Sequence, residues 1–144
     1  MLFGYQRTAF RWHHRVARIV VGAGFDGGKG PGQPADWARL ELVEPVSVPP
    51  LPLRAARVSA GTAVALAGYN QDRAQLLMAD MACQVLRVAT LPGGAMIVTH
   101  DCAATRGTSG APLLAKEDRG WAVIAINIAA GRAENLALAA PFGE

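Results

Sequence analysis

His100-Asp101-Cys102-Ala103-Ala104-Thr105-Arg106-Gly107-Thr108-Ser109-Gly110-Ala111-Pro112-Leu113-Leu114 is the stretch on which the fold and the chemistry of this chain turn. It sets one of the chain's three serines between Gly107 and Gly110, just ahead of an apolar run. Glycine tolerates backbone angles that a β-carbon forbids, so this segment can make a tight turn that exposes the Ser109 hydroxyl. Such a turn can also aim two main-chain N–H groups at one point, as an oxyanion formed by nucleophilic attack requires. Gly107 and Ser109 are placed to supply those two donors. Taken alone, Gly107-Thr108-Ser109-Gly110 reads more simply as an ordinary β-turn.

Working outward, Arg15 to Val21 is short and β-branched and stops at Gly22-Ala23-Gly24, which predicts a strand. Gly27 to Pro34 is too rich in Gly and Pro for helix or sheet. Trp37 to Leu42 alternates like a strand, and Pro45, Pro49, Pro50 and Pro52 mark an extended connector, the candidate boundary between residues 1–54 and 55–144. Thr62 to Gly68, Cys83 to Val88, Ala95 to Thr99 and Trp121 to Asn127 are further short runs bounded by turn residues. Gln75 to Met81 is compatible with a helical turn. Strands at this spacing predict an all-β antiparallel barrel or sandwich.

The 144 residues suffice for one domain, or for two small β-subdomains sharing an interface. At 51% apolar and 17% charged residues the chain is too apolar for disorder. Its net charge of +3 comes from scattered Lys and Arg, which argues against a nucleic-acid partner. No uninterrupted apolar run reaches the length of a membrane span, and the first residues lack a basic region followed by an apolar run, so no export signal is read. Cys83 and Cys102 could form one disulfide closing a short loop, implying an oxidising compartment, or remain two buried thiols. With no CxxC pair, three histidines, no phosphate loop and no dinucleotide fingerprint, neither a metal nor a cofactor is expected.

Context changes the reading of the turn. Gly-Xaa-Ser-Gly-Xaa-Pro leading into an apolar strand, with Asp101-Cys102 shortly before it, resembles the nucleophile loop of chymotrypsin-like serine proteases. It is most similar to the bacterial trypsin-like and glutamyl-endopeptidase branch, where the residue before the serine need not be aspartate. Asp36-Trp37-Ala38-Arg39-Leu40-Glu41-Leu42 resembles the segment in which that family's triad aspartate opens a strand. Val64 to Tyr69 is similar to the first strand of the second barrel, Val123 to Asn127 to the strand lining the substrate cleft, and Asn135-Leu136-Ala137 to the segment after it.

The resemblance implies a double β-barrel of closed Greek-key barrels forming one peptidase domain. Residues 1–54 would be the remainder of a first barrel, incomplete at its N-terminus, with its linker, and residues 55–144 the second barrel. It implies Ser109 as nucleophile, Asp36 as triad acid, Gly107 and Ser109 as oxyanion donors, and a substrate pocket walled by Ala104, Thr105, Asn127, Ile128 and Ala129. It further implies a peptide or protein substrate, a secreted or periplasmic site of action, and a monomer when complete. Without the resemblance, Asp36 reads as a loop aspartate capping its own turn; the triad role demands a carboxylate that fixes a histidine tautomer.

One part of the pattern is missing. The family's base lies in a Thr-Ala-Ala-His-Cys segment upstream of the aspartate, and the chain has only His13, His14 and His100. His13 and His14 resemble a variable surface position, and His100 falls on the second barrel, where a structural role is expected. Leu2-Phe3-Gly4-Tyr5 resembles a strand that follows the missing histidine, so the chain is expected to start late and to be inactive as given. Its unpaired barrel edge predicts poor solubility. Glutamyl-specific relatives carry histidine where Asn127 stands, so glutamate selection is not expected. Thr108 replaces the aspartate that pairs with a newly cut N-terminus in digestive enzymes, which removes that activation switch. The alternative is an inactive pseudoprotease that binds peptides. An α/β-hydrolase is excluded by spacing, because its elbow is Gly-Xaa-Ser-Xaa-Gly leading into a helix.

Overall fold

Alternation of small and branched apolar residues with exposed ones builds almost all of the regular structure. In the computed structural model, which describes residues 1–55 and 57–140, ten strands run in chain order. They are β1 (Leu2–Phe3), β2 (Trp12–His13), β3 (Val16–Val21), β4 (Ala38–Leu42), β5 (Ala63–Tyr69), β6 (Leu77–Thr90), β7 (Met96–His100), β8 (Pro112–Glu117), β9 (Gly120–Ala130) and β10 (Asn135–Ala139). Short 3-10 turns occur at Gly27–Lys29 and Gln71–Arg73. No helix among the described residues is long and apolar enough to cross a membrane.

Strands β5 to β10 close into one antiparallel barrel in the order β10-β7-β6-β5-β8-β9. Closure gives every strand two neighbours and removes the edges. The interior is filled by Val64, Leu66, Val85, Val98, Leu113 and Ile124, with Ala125, Ala137 and Ala139 where the wall approaches itself. Register shifts interrupt the β5–β6, β6–β7, β8–β9 and β9–β10 pairs, and such bulges bend strands round the corners of a small barrel. Between β6 and β7 the chain reverses at Gly93 and Gly94, both at φ near +88, angles that side-chain-bearing residues rarely adopt.

Extending the Val85↔His100 pairing by two residues places Cys83 opposite Cys102, and the two are joined in a disulfide with their Cα atoms 4.8 Å apart. Of the two states left open by the sequence, the bridge is therefore the one found.

Residues outside the barrel form two separate ribbons, β1–β2 and β3–β4. In the second, Ile19 pairs with Leu40 and Val21 with Ala38, and Ile19, Val21 and Leu40 remain exposed. Main-chain and side-chain contacts fasten this part to the barrel. The Tyr69 hydroxyl donates to the carbonyl of Tyr5 at 2.5 Å, the Arg7 N–H donates to the carbonyl of Gln75, and the proline-rich connector pairs in parallel at Leu53 with Val123 of β9.

The helical turn expected over Gln75 to Met81 is not there. A 3-10 turn ends at Arg73 and β6 begins at Leu77, pairing Met78 with Gly68, Ala79 with Ala67 and Asp80 with Leu66. Leu, Met and Ala favour helix weakly, and the ladder offered by β5 outweighs that preference. The run expected from Cys83 to Val88 is accordingly the middle of a 14-residue strand.

Candidate active site

The segment between β7 and β8 crosses the barrel rim and is held by polar contacts that its own sequence does not advertise. Thr108 is only 2% exposed. Its hydroxyl donates to Asn70 Oδ1, lies 2.8 Å from the Thr105 carbonyl and accepts from the Thr105 N–H. The Arg106 carbonyl accepts from the N–H of Gln71 at 2.7 Å. In a planar trans peptide the N–H points opposite to the C=O, so this bond turns the Gly107 N–H away from Gln71. Among the described residues neither Gly107 nor Ser109 gives its N–H to any acceptor.

Gly107 itself is required. It sits at φ +95, and a Cβ there would come within 3.0 Å of the Tyr69 carbonyl oxygen and 3.1 Å of the Gln71 nitrogen. Beyond it, the exposed Ser109 hydroxyl lies 3.4 Å from the carbonyl of Ile128. On the far side of the serine, Gly110 donates to the Asn127 carbonyl at 2.7 Å and Asn127 donates to the Ala111 carbonyl at 2.8 Å.

Ser109 and Asp36 line one cleft of about 400 Å³, together with Val21, Phe25, Trp37 and Ile128. Asp36 is carried by the turn that opens β4, where its N–H donates to the Gln33 carbonyl at 3.1 Å. Its partly buried carboxyl is pushed above the ordinary value of 3.8 by desolvation, and no cation among the described residues pairs with it. A charged carboxylate beside apolar walls, with no partner, is less stable there than in water.

No histidine belongs to this cleft. The His13 ring lies edge-on to Phe10 at 6.3 Å and the His14 ring to Phe3 at 5.8 Å, both within the N-terminal ribbon. His100 is fully buried, with Nε2 at 3.1 Å from Asn127 Oδ1. Burial holds its imidazole below the ordinary value, against the opposing pull of the Asn127 bond, Asp101 and Asp80. Of the residues read as pocket wall, Asn127 and Ile128 line the Ser109 cleft; Ala104, Ile128 and Ala129 are half-buried, Thr105 is exposed, and the buried Asn127 turns its side-chain amide towards His100 and Thr108. No cluster of three metal-capable side chains occurs among the described residues.

Sequence reading missed Asn70, Gln71 and Asp80. Asp80 accepts from the N–H groups of Ala82 and Ala103 and so pins the start of the loop. Each lies more than 20 positions from its loop partner, and nothing local in the sequence marks that contact.

Comparison with known proteins places these features in a lineage. No curated protein matches the sequence. A solved structure, the Murine Norovirus NS6 protease in an inactive mutant form with a C-terminal extension, is similar to 74% of this chain at 20% identity and a TM-score of 0.50. The chain spans 66% of the length of that protease, and the likeness concerns the fold. The family model for a trypsin-like peptidase domain matches residues 7–126. That match runs through the β3–β4 ribbon, the Asp36 turn, the disulfide and the Ser109 loop, and by it the chain belongs to the trypsin-like peptidase family.

Proposed function

We propose that this chain carries the nucleophile half of a serine endopeptidase, in which Ser109 attacks the peptide carbonyl and Asp36 orients a histidine base supplied by polypeptide outside the 144 residues. The observation that carries the reading is the shared cleft: it holds a serine hydroxyl and an unpaired carboxylate and is lined by no histidine. In the completed site the imidazole takes the Ser109 proton as the Oγ–C bond forms, and the Asp36 carboxylate stabilises the imidazolium. The oxyanion faces the N–H groups of Gly107 and Ser109. Collapse of the tetrahedral intermediate passes the proton to the leaving amine, and water then releases the acyl group by the same steps. This order of events is the one general to serine peptidases with a Ser-His-Asp triad.

Ala104, Thr105, Asn127, Ile128 and Ala129 form the substrate pocket on this reading, and none of them carries a charge. Residues 1–54 belong to the first barrel and 55–144 to the second. The disulfide supports action in an oxidising, extracytoplasmic compartment. A second reading, a peptide-binding module without turnover, is favoured by the same lack of a base in the cleft.

The test is fluorophosphonate labelling of the protein isolated from its source, with peptide mapping of the labelled residue. Label on Ser109 that disappears in Ser109→Ala supports the peptidase. Label retained in Ser109→Ala refutes it, and peptide binding without any label supports the second reading.

A further inference from the structure

Two polar side chains are buried at one end of the barrel, where apolar ones would pack without penalty. His100, the last residue of β7, and Asn127, on β9, are both 0% exposed. Their contact reaches across β10, which lies between the two strands. A buried polar group left unpaired loses its hydration with nothing in return, so the partners of these two decide whether the arrangement holds.

What Asn127 does on its other side settles the orientation of both. Its Nδ2 faces the carbonyl oxygen of Thr108 at 3.4 Å. A carbonyl only accepts, so the NH2 group must lie on that side and Oδ1 must face the imidazole. The amide oxygen only accepts as well, so His100 presents Nε2–H to it, and full burial of the ring disfavours a second, charging proton. Its Nδ1 is left bare and buried, with no partner among the described residues.

The Thr108 carbonyl and the Ser109 N–H belong to one planar peptide unit, so whatever holds the carbonyl aims the N–H the opposite way. The Gly107 N–H is set in the same manner through the Arg106 carbonyl and Gln71. Thr108 O also accepts from Ala111 at 3.0 Å, and the Asn127 main chain bonds Gly110 and Ala111, so one residue of β9 grips the chain on both sides of the serine.

We propose that His100 is a positioning residue for Ser109: by holding the Asn127 amide in one rotamer, it fixes the peptide whose N–H faces the oxyanion. The inference rests on the reading of Ser109 as nucleophile, and its test reads the loop directly, without activity.

Nitrogen-15 spectra of the full chain should show the His100 ring as the Nε2–H tautomer. In His100→Leu, which keeps the bulk and removes the donor, the Ser109 amide resonance should move. Hydrogen exchange at Ala111 should then be about five- to tenfold faster, while Val20 in the β3–β4 ribbon is unchanged. His100→Gln, which returns an N–H near the same place, should restore the Ser109 resonance and bring the Ala111 rate to within about twofold of the unsubstituted chain. The proposal is overturned if the ring carries its proton on Nδ1, if His100→Leu leaves loop shifts and exchange as they were, or if His100→Gln behaves like His100→Leu. Should His100→Leu not fold, the ring spectrum and the His100→Gln variant decide. Failure of Ser109 as a nucleophile would show in labelling and leave these signals in place.

Discussion

Cys83 in β6 is bonded to Cys102, the residue that opens the way from β7 into the serine loop. The bridge closes a 19-residue separation, for which the loop-entropy account gives about 3 kcal/mol of stabilisation. Replacing both cysteines with serine should therefore lower the unfolding free energy by about that amount in urea titrations. Equal midpoints for the bridged and unbridged chains would contradict it.

Gly107 and Gly110 both adopt positive φ, but only Gly107 is crowded. Gly107→Ala adds a Cβ contact at 3.0 Å to main chain on top of the backbone strain, whereas Gly110→Ala meets nothing within 4 Å. Strain of this kind costs about 1–3 kcal/mol, and Gly107→Ala is expected to be the more destabilising of the two by thermal melting. The reverse order would show that the loop is not packed on Tyr69 and Gln71.

The pH dependence of Asp36 runs opposite to that of a salt-bridged carboxylate. Its folded-state value is raised above 3.8, so its contribution is fully present below that value and is lost as pH rises through the folded one. Asp36→Asn should consequently raise the melting temperature at pH 7 relative to the unsubstituted chain, with a smaller difference at pH 3. Destabilisation at pH 7 would mean that the carboxylate already has a cationic partner.

For His100 the shift is downward from 6.5, so the unfolded chain binds the proton first and stability falls as pH drops below 6.5. Asp101 and Asp80 oppose this pull and moderate it without reversing it. Urea midpoints should decline between pH 7 and 5, and His100→Gln should flatten that slope. An unchanged slope in the variant would assign the decline to other groups.

Much of this was legible before the fold was known. Short β-branched runs such as Val16–Val21 report strands because alternation and turn residues are local signals, and the glycines around Ser109 report a turn for the same reason. The error over Gln75 to Met81 arose where local preference and long-range pairing disagree, since the ladder to β5 is invisible in a window of seven residues. The contacts that hold the loop, Asn70 to Thr108, Gln71 to Arg106 and Asn127 to Thr108, join distant positions through ordinary polar residues. Asn127 illustrates the limit: it lines the cleft beside Ser109, but nothing in its place in the sequence marks the contact of its buried amide with His100.

If Ser109 and Asp36 form a site that lacks only its base, free imidazole should stand in for the missing side chain. The cleft of about 400 Å³ beside them has room for one imidazole molecule. Fluorophosphonate labelling of the chain should be slow alone and should rise saturably with added imidazole, by about tenfold or more, as a general base permits. The gain should vanish in Ser109→Ala and shrink in Asp36→Asn. Labelling that ignores imidazole, or that rises equally in Asp36→Asn, would contradict the account.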